Sequence, residues 1–443
     1  MEITAKIAAG YNGFQPEVSG DMEGLDYLWS LDAVRERSHK LLEIGLAGNQ
    51  GGAGLPHFEV HPEKIDDAAS KVIDTIATRY PKLDIPIHSR YRHFEVGGID
   101  RVGAMELGWS SEGVDAMEAV RRKIDLVVVS VLLDAGAGAA WSYVDKVGAT
   151  HSRSEGLAMA SLDMFKSGAF AGDAEEAGSG QNTVDASRLA TITAEELGLG
   201  FQVSEANPIA GLEGRAEILR RLGIALQTHH EIFQRGSTFR PGNLLDHVLK
   251  QSLLQNADGN QNSRLSMRVL WKAVVEGLQG VFPDPSGQGL GDCFSHPALG
   301  DPDDPDAMIP FHKLSQWLTY SLIEPFGSFG IKFVDGYLLT GLAEYRNGGL
   351  FLDTGVLTLR DPSALHDEHL VSDTLVVEWR GLTVALLDKT AERIWDRLGM
   401  TSQQMPLAKI LEGGTWAAGR ELAFERRPGG EPPIRISSTG DVF

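Results

Sequence analysis

The segment Leu338 to Gly355 contains the residues best suited to chemistry. Glu344, Tyr345, Arg346 and Asn347 form a glycine-rich turn in an apolar frame, and Asp353 follows nine positions after Glu344. An apolar surrounding raises a carboxyl's proton affinity and a nearby arginine lowers it. Paired carboxylates with different environments are what acid–base cleavage of a glycosidic bond needs. A Glu344–Arg346 salt bridge closing the turn is the structural alternative. A second segment, Pro310 to Leu322, carries Lys313, Gln316 and Trp317 on one side of a helical reading, with Tyr320 joining them. A Lys and a Gln on an otherwise apolar helix are costly to bury without partners, although a lysine at the edge can reach solvent.

A third segment, Pro86 to Arg101, concentrates His88, Arg90, Arg92, His93, Asp100 and Arg101 around a Gly-Gly turn. Its arginines suit an anion or a sugar with vicinal hydroxyls. They serve equally well as a network tying helices together. His88, His93 and Asp100 are also potential metal ligands, but their spacing fits no standard signature. A fourth, Val127 to Gly138, joins an apolar run to Asp134 and a Gly-x-Gly turn. It has a partial likeness to the first motif of Rossmann-like methyltransferases. The following helix, second strand and acidic residue of a true fingerprint are not evident. A buried helix ending at Asp134 is the other reading, with Asp134 able to line a pocket.

Mostly helical elements must position these residues. Apolar spacing predicts helices over Leu25–Leu46, Ile65–Tyr80, Ser111–Leu133, Leu157–Phe165, Asp185–Leu197, Gly211–Thr228, Leu244–Leu254, Leu265–Leu278 and Phe311–Ile323. Ser152 and Glu155 have capping-box spacing. Thr374–Trp379 and Leu382–Leu387 alternate around Arg380-Gly381 and read as a hairpin, followed by a helix over Thr390–Leu398. Ile434–Ser437 reads as a strand. Gly172–Asn182 and the aspartate-rich Gly300–Asp306 read as exposed loops. Pro302 and Pro305 argue against a calcium loop in the second. The expected fold is mainly α with a small β element. It would be one large helical domain over 1–443, or 1–110, a site-bearing 111–370 and a C-terminal 371–443.

Composition narrows the function. The 40 basic and 61 acidic residues leave a net charge of −21, which repels nucleic acid. The single Cys293 permits no intramolecular disulfide and no thiolate zinc site. No charged-then-apolar leader is seen, and the longest apolar run, Leu126–Leu133, is far short of the roughly 20 residues of a membrane span. A cytoplasmic protein is expected, with a small-molecule ligand, no membrane partner and room for a homo-oligomer. Glycine is in excess, 51 of 443, or about 11.5%, against roughly 7% usually.

Taken together, His88–Arg101, Leu133–Gly138, Arg153–Ala158, Asn207–Arg215, Pro310–Leu318 and Leu339–Gly349 resemble one family. It is the fungal and bacterial uracil-catabolism family, component four of the pathway that opens the pyrimidine ring to urea. A more distant likeness is to queuosine-salvage nucleosidases. These carry an aromatic-Lys-x-x-Gln helix and a later acidic-Tyr-Arg turn, matched here by Phe311, Lys313, Gln316 and Glu344-Tyr345-Arg346. That likeness implies a multi-helical core reminiscent of DNA glycosylases. It also implies N-glycosidic hydrolysis by carboxylates without a cofactor. Where those enzymes place an aspartate late in the first helix, this chain has Ser321, so either Asp353, Asp335 or Asp134 substitutes or the chemistry differs.

The resulting expectation is hydrolysis of a ring-opened uracil nucleoside or nucleotide, a ribosylurea. Glu344 is the first carboxylate, with Asp353 or Asp134 as its partner. Arg90, Arg92, His93, Asp100, Arg101, Lys313, Gln316, Trp317, Tyr345 and Arg346 would bind substrate. Two alternatives remain open: a metal-dependent amidohydrolase or deaminase using His88, His93 and Asp100, and a non-catalytic binding partner of the ring-opening enzyme.

Overall fold

The computed structural model describes residues 24–138, 140–172, 181–255, 264–282 and 289–437. Thirteen of its helices matter here. They are α1 (Leu31–Gly48), α2 (Ile65–Arg79), α3 (Tyr91–Phe94), α4 (Arg101–Ser111), α5 (Ala116–Leu132), α6 (Arg153–Lys166) and α7 (Leu212–Thr228). They continue as α8 (Leu244–Gln255), α9 (Met267–Gly277), α10 (Lys313–Ser328), α11 (Tyr345–Asp353), α12 (Thr374–Leu398) and α13 (Trp416–Arg426). Among the described residues the strands form six two-stranded pairs, none longer than three residues. The expected mainly α fold with a small β element is therefore what the chain adopts. No helix among the described residues is long and apolar enough to cross a membrane.

The hairpin expected at Thr374–Leu387 is instead the first half of α12, a helix of 25 residues. Nearly every side chain from Leu375 to Asp388 is buried. A helix enclosed on all sides loses the polar face that reveals its period. Gly381, which suggests a turn, is a point of close packing: a Cβ there would lie 2.9 Å from Leu41 of α1. Other boundaries also shift. The helix expected over Ser111–Leu133 is two, because Ser111 ends α4 and Asp115 caps α5 by accepting from the Glu118 amide. Ser152 precedes α6 but makes no side-chain cap; the capping box lies at Thr193 and Glu196 instead. Asp185–Leu197 is likewise two short helices. The strand near Ile434 forms at Arg435–Ile436, parallel to Glu368–His369. Gly300–Asp306 is an exposed acidic turn. Residues 173–180 of the expected loop Gly172–Asn182 lie outside the described residues.

One apolar core runs from Leu31 to Ile434. Buried charges cross it as hydrogen-bonded pairs, as burial requires. On α12, Glu378 accepts from the Phe58 amide at 2.7 Å, Arg380 pairs with Asp292, and Asp388 meets Arg35 and His39. Helices α11 and α13 cross where Gly419 faces the backbone of Arg346, and a Cβ would lie 2.0 Å from the Arg346 carbonyl oxygen. Gly419→Ala is expected to destabilise the fold by about 1–3 kcal/mol. The control is Gly327→Ala on α10, where a Cβ meets nothing within 4 Å; that change should be neutral or slightly stabilising. Urea denaturation midpoints of the two variants check both.

Candidate functional site

Glu344 is the N-cap of α11. Its Oε2 accepts from the Arg346 amide at 2.9 Å and its Oε1 from the Asn347 amide at 2.6 Å. An acidic side chain satisfies the first free amides of a helix, which explains why the turn reads Glu-Tyr-Arg-Asn. Arg346 does not close onto Glu344; its Nη1 donates to the Gly430 carbonyl at 2.7 Å. Burial pushes Glu344 up from the ordinary carboxylate range, against the pull of the two amides and of Lys313.

Lys313 is the first residue of α10. It is reached through His312, whose φ of +45° is left-handed, a conformation that a non-glycine side chain adopts only under constraint. The constraint is visible: His312 stacks on Trp29 at 4.6 Å and its Nε2 bonds the Leu28 carbonyl. Burial lowers the Lys313 ammonium from its ordinary value, opposed first by Glu344 and also by Asp134. The ammonium therefore lies within electrostatic reach of both carboxylates.

Asp134 comes from a distant segment, just after α5. Its Oδ2 pairs with Arg90 Nη1 at 2.9 Å, while its Oδ1 and Arg90 Nη2 are buried without a protein hydrogen bond. Burial pushes the Asp134 carboxyl up, but Arg90, then His93, outweigh it and hold it below its ordinary value. Arg215 fixes this turn, donating to the carbonyls of Leu133, Ala135 and Gly136. Arg90 is itself fixed by Ser130 at 2.8 Å and the Ser154 carbonyl at 3.2 Å. Its Nη1 also donates to His93 Nδ1 at 3.3 Å. Burial, then Arg90, holds the His93 imidazole down at about 4.

Trp317 forms a wall one turn into α10. Its ring lies 4.5 Å from His88 and 5.9 Å from His93, and its buried Nε1 has no protein acceptor. Glu412 accepts from His88 Nδ1 at 2.8 Å. Tyr345 stacks under the Arg346 guanidinium at 4.9 Å. Lys313, Asp134, His93 and Tyr345 keep partial exposure, yet burial is the largest influence on the ionisation of each. Enclosure by protein together with access to solvent is what the side chains of a binding recess require.

Of the residues singled out in sequence, Glu344, Asp134, Lys313, Arg90, His93, Trp317, Tyr345 and Arg346 are brought into this connected group. Gln316 supports it from behind, since its Oε1 accepts from the Thr340 amide and hydroxyl and so ties α10 to the loop before Glu344. The others are engaged elsewhere. Asp353 is the last residue of α11, at the opposite end from Glu344, in a bidentate pair with Arg427 at 2.7 and 2.6 Å. Asp100 caps α4 through the Gly103 amide. Arg101 binds the Phe94 and Val96 carbonyls, and Arg92 pairs with Glu324 and Glu95. His88, His93 and Asp100 do not converge, and no group of three or more potential metal ligands occurs among the described residues. Glu412 was not foreseen; it lies in a π-helical turn, Leu411–Thr415, that has no sequence signature. Arg153 and Arg215 lay within the motifs that carried the resemblance, but without a role.

A family-wide profile described as a protein of unknown function, DUF1688, matches residues 27–443. The chain belongs to this family. DUF1688 relatives include Protein urg3 of Schizosaccharomyces pombe, 39% identical over 94% of this chain and 98% of the relative. They also include Uracil catabolism protein 4 of Lachancea kluyveri, 35% identical over 95% of this chain and 99% of the relative. The family resemblance drawn from the six motifs is therefore correct.

In this DUF1688 chain the recess offers one carboxyl whose proton affinity is raised, one whose proton affinity is lowered, and an ammonium within electrostatic reach of both. His93 gives a stability signature. Its pKa is about 4 folded against an ordinary 6.5, so between these values the unfolded chain holds more protons. The stabilisation it confers is complete above pH 6.5 and is lost as pH falls toward about 4. Thermal melts across that window should lose stability less steeply in His93→Gln than in the natural protein. Parallel slopes would refute the assignment.

Proposed function

We propose that the protein serves uracil catabolism as an N-ribosyl hydrolase. Its substrate would be a ring-opened uracil nucleoside or nucleotide, cleaved to urea and the ribose moiety. The relative named for uracil catabolism supports the pathway. The observation that carries the chemistry is the opposed pair Glu344 and Asp134, one raised and one lowered, both within electrostatic reach of Lys313. Environments that split two carboxyl groups in this way assign an acid and a base.

In the reaction the anomeric C–N bond breaks and a C–O bond to water forms. Glu344 gives its proton to the departing ureido nitrogen. Asp134 faces the cationic sugar and takes a proton from the attacking water through its unpaired Oδ1. Lys313 places positive charge near both carboxylates and limits their mutual repulsion. The Trp317 ring offers a flat surface for the planar ureido group. The ligand is thus a small molecule, neither nucleic acid nor membrane.

Glu344→Gln should lower kcat by about 10²–10⁴-fold with little change in KM, and Asp134→Asn should act similarly. With ribosylurea as sole substrate, urea release is the readout; a wild-type rate in Glu344→Gln would sink the assignment. The pH profile should be bell-shaped. Activity rises as Asp134 ionises, over a limb below its ordinary 3.8, and falls as Glu344 loses its proton, over a limb above its ordinary 4.5.

A further inference from the structure

Most arginines of this acidic chain have a carboxylate within 4 Å, including Arg90, Arg92 and Arg101 of the motif first expected to hold an anion. Arg153, Arg346 and Arg420 have none among the described residues, and the three converge on one place. Arg153 Nη2 donates to the Gly429 carbonyl at 3.1 Å and Arg346 Nη1 to the adjacent Gly430 carbonyl at 2.7 Å. Arg420 lies over Trp416 at 5.5 Å and over Phe424 at 5.8 Å. The Phe424 ring in turn packs directly on Gly430.

The arrangement is unfavourable without a counter-charge. Arg346 is only 2% exposed and its Nε has no hydrogen-bond partner among the described residues. Burying a guanidinium without a carboxylate is expensive, and gathering three like charges adds repulsion. Arg153 is also held at φ +54°, a left-handed conformation unusual for arginine. It opens α6, whose Ser152 supplies no side-chain cap, so the helix's positive end lies at Arg153 itself. Tyr345, adjacent to Glu344, joins this cluster to the recess: the Arg346 guanidinium lies 4.9 Å over its ring.

We propose that Arg153, Arg346 and Arg420 form a phosphate subsite beside Glu344, and that the substrate is a 5′-phosphorylated ribose derivative, a phosphomonoester. The inference rests on the ribosyl-hydrolase reading for the sugar but not for the phosphate. A phosphomonoester carries about −1.5 to −2 charge at pH 7 and three acceptor oxygens, matching guanidinium groups that no carboxylate engages among the described residues. The global charge of −21 keeps polyanions away, while a local cluster of this size admits one small dianion.

The test is titration calorimetry on the full chain with ribose 5-phosphate, ribose, and inorganic phosphate added to ribose. Ribose 5-phosphate is expected to bind at least ~10-fold more tightly than ribose, a gap of about 1.4 kcal/mol, and to weaken with added salt. Arg420→Gln and Arg153→Gln, both at partly exposed positions, should each remove most of that preference without changing the affinity for ribose. Arg346→Gln is avoided because its burial puts folding at risk. Equal affinity for the two sugars, or a preference unaffected by both substitutions, overturns the subsite. Inorganic phosphate with ribose matching ribose 5-phosphate overturns the ester assignment in favour of free phosphate. An arginine-dependent preference without urea release from the phosphorylated ribosylurea keeps this subsite while the hydrolase reading fails.

Discussion

The buried pair between Arg380 and Asp292 sets the geometry on which the rest of the site depends. Two parallel bonds of 2.8 Å join them, and both residues are almost wholly enclosed. Further hydrogen bonds and contacts to such a pair offset part of its desolvation cost. Here Asp292 Oδ2 accepts from the Lys313 amide, its backbone carbonyl accepts from Phe311 and His312, and the Arg380 guanidinium lies 4.0 Å over the Phe311 ring. The start of α10 is thereby clamped to the first third of α12. The same helix seats the loop that ends in Glu344: Gly341 packs on Leu387, and Gly348 packs on Trp379. Lys313 and Glu344 thus share one foundation.

Asp134 is supported independently, by Arg215 beneath its turn and Arg90 beside its carboxylate. Among the described residues Glu344 accepts from two backbone amides, whereas Asp134 pairs with the Arg90 guanidinium. Two groups of similar intrinsic acidity are moved apart by that difference in partners. The polarity of the recess therefore follows from backbone placement on one side and a buried cation on the other.

Much of this was legible in the sequence, for physical reasons. Glycine-rich turns, a capping glutamate and an aromatic-Lys-x-x-Gln helix are local features, and local features can be read from neighbouring residues. Identifying partners across the chain was less secure. Asp353 and Arg427 lie 74 positions apart, and nothing local tells a carboxylate neutralised by a distant arginine from one facing substrate. Arg92, Arg101 and Asp100 drew attention by charge density, yet each is used by the fold. The misread hairpin at Thr374–Leu387 has the same origin. Complete burial by α1 and the loop at Gly341 removed the pattern by which a helix announces itself. Arg153 showed the converse, a residue inside a motif whose meaning emerged only once its neighbours were in place.

Asp134 and Glu344 stand 210 positions apart in the chain, and the arginines beyond Glu344 come later still. A growing polypeptide would have placed α5 and its turn long before the residues of α11 to α13 left the ribosome. Contacts of such long range form late, because the entropy of closing large loops must first be overcome. No early fragment of the chain holds even half of the recess in working order. The group around Lys313 is therefore complete only once α11 to α13 are in place.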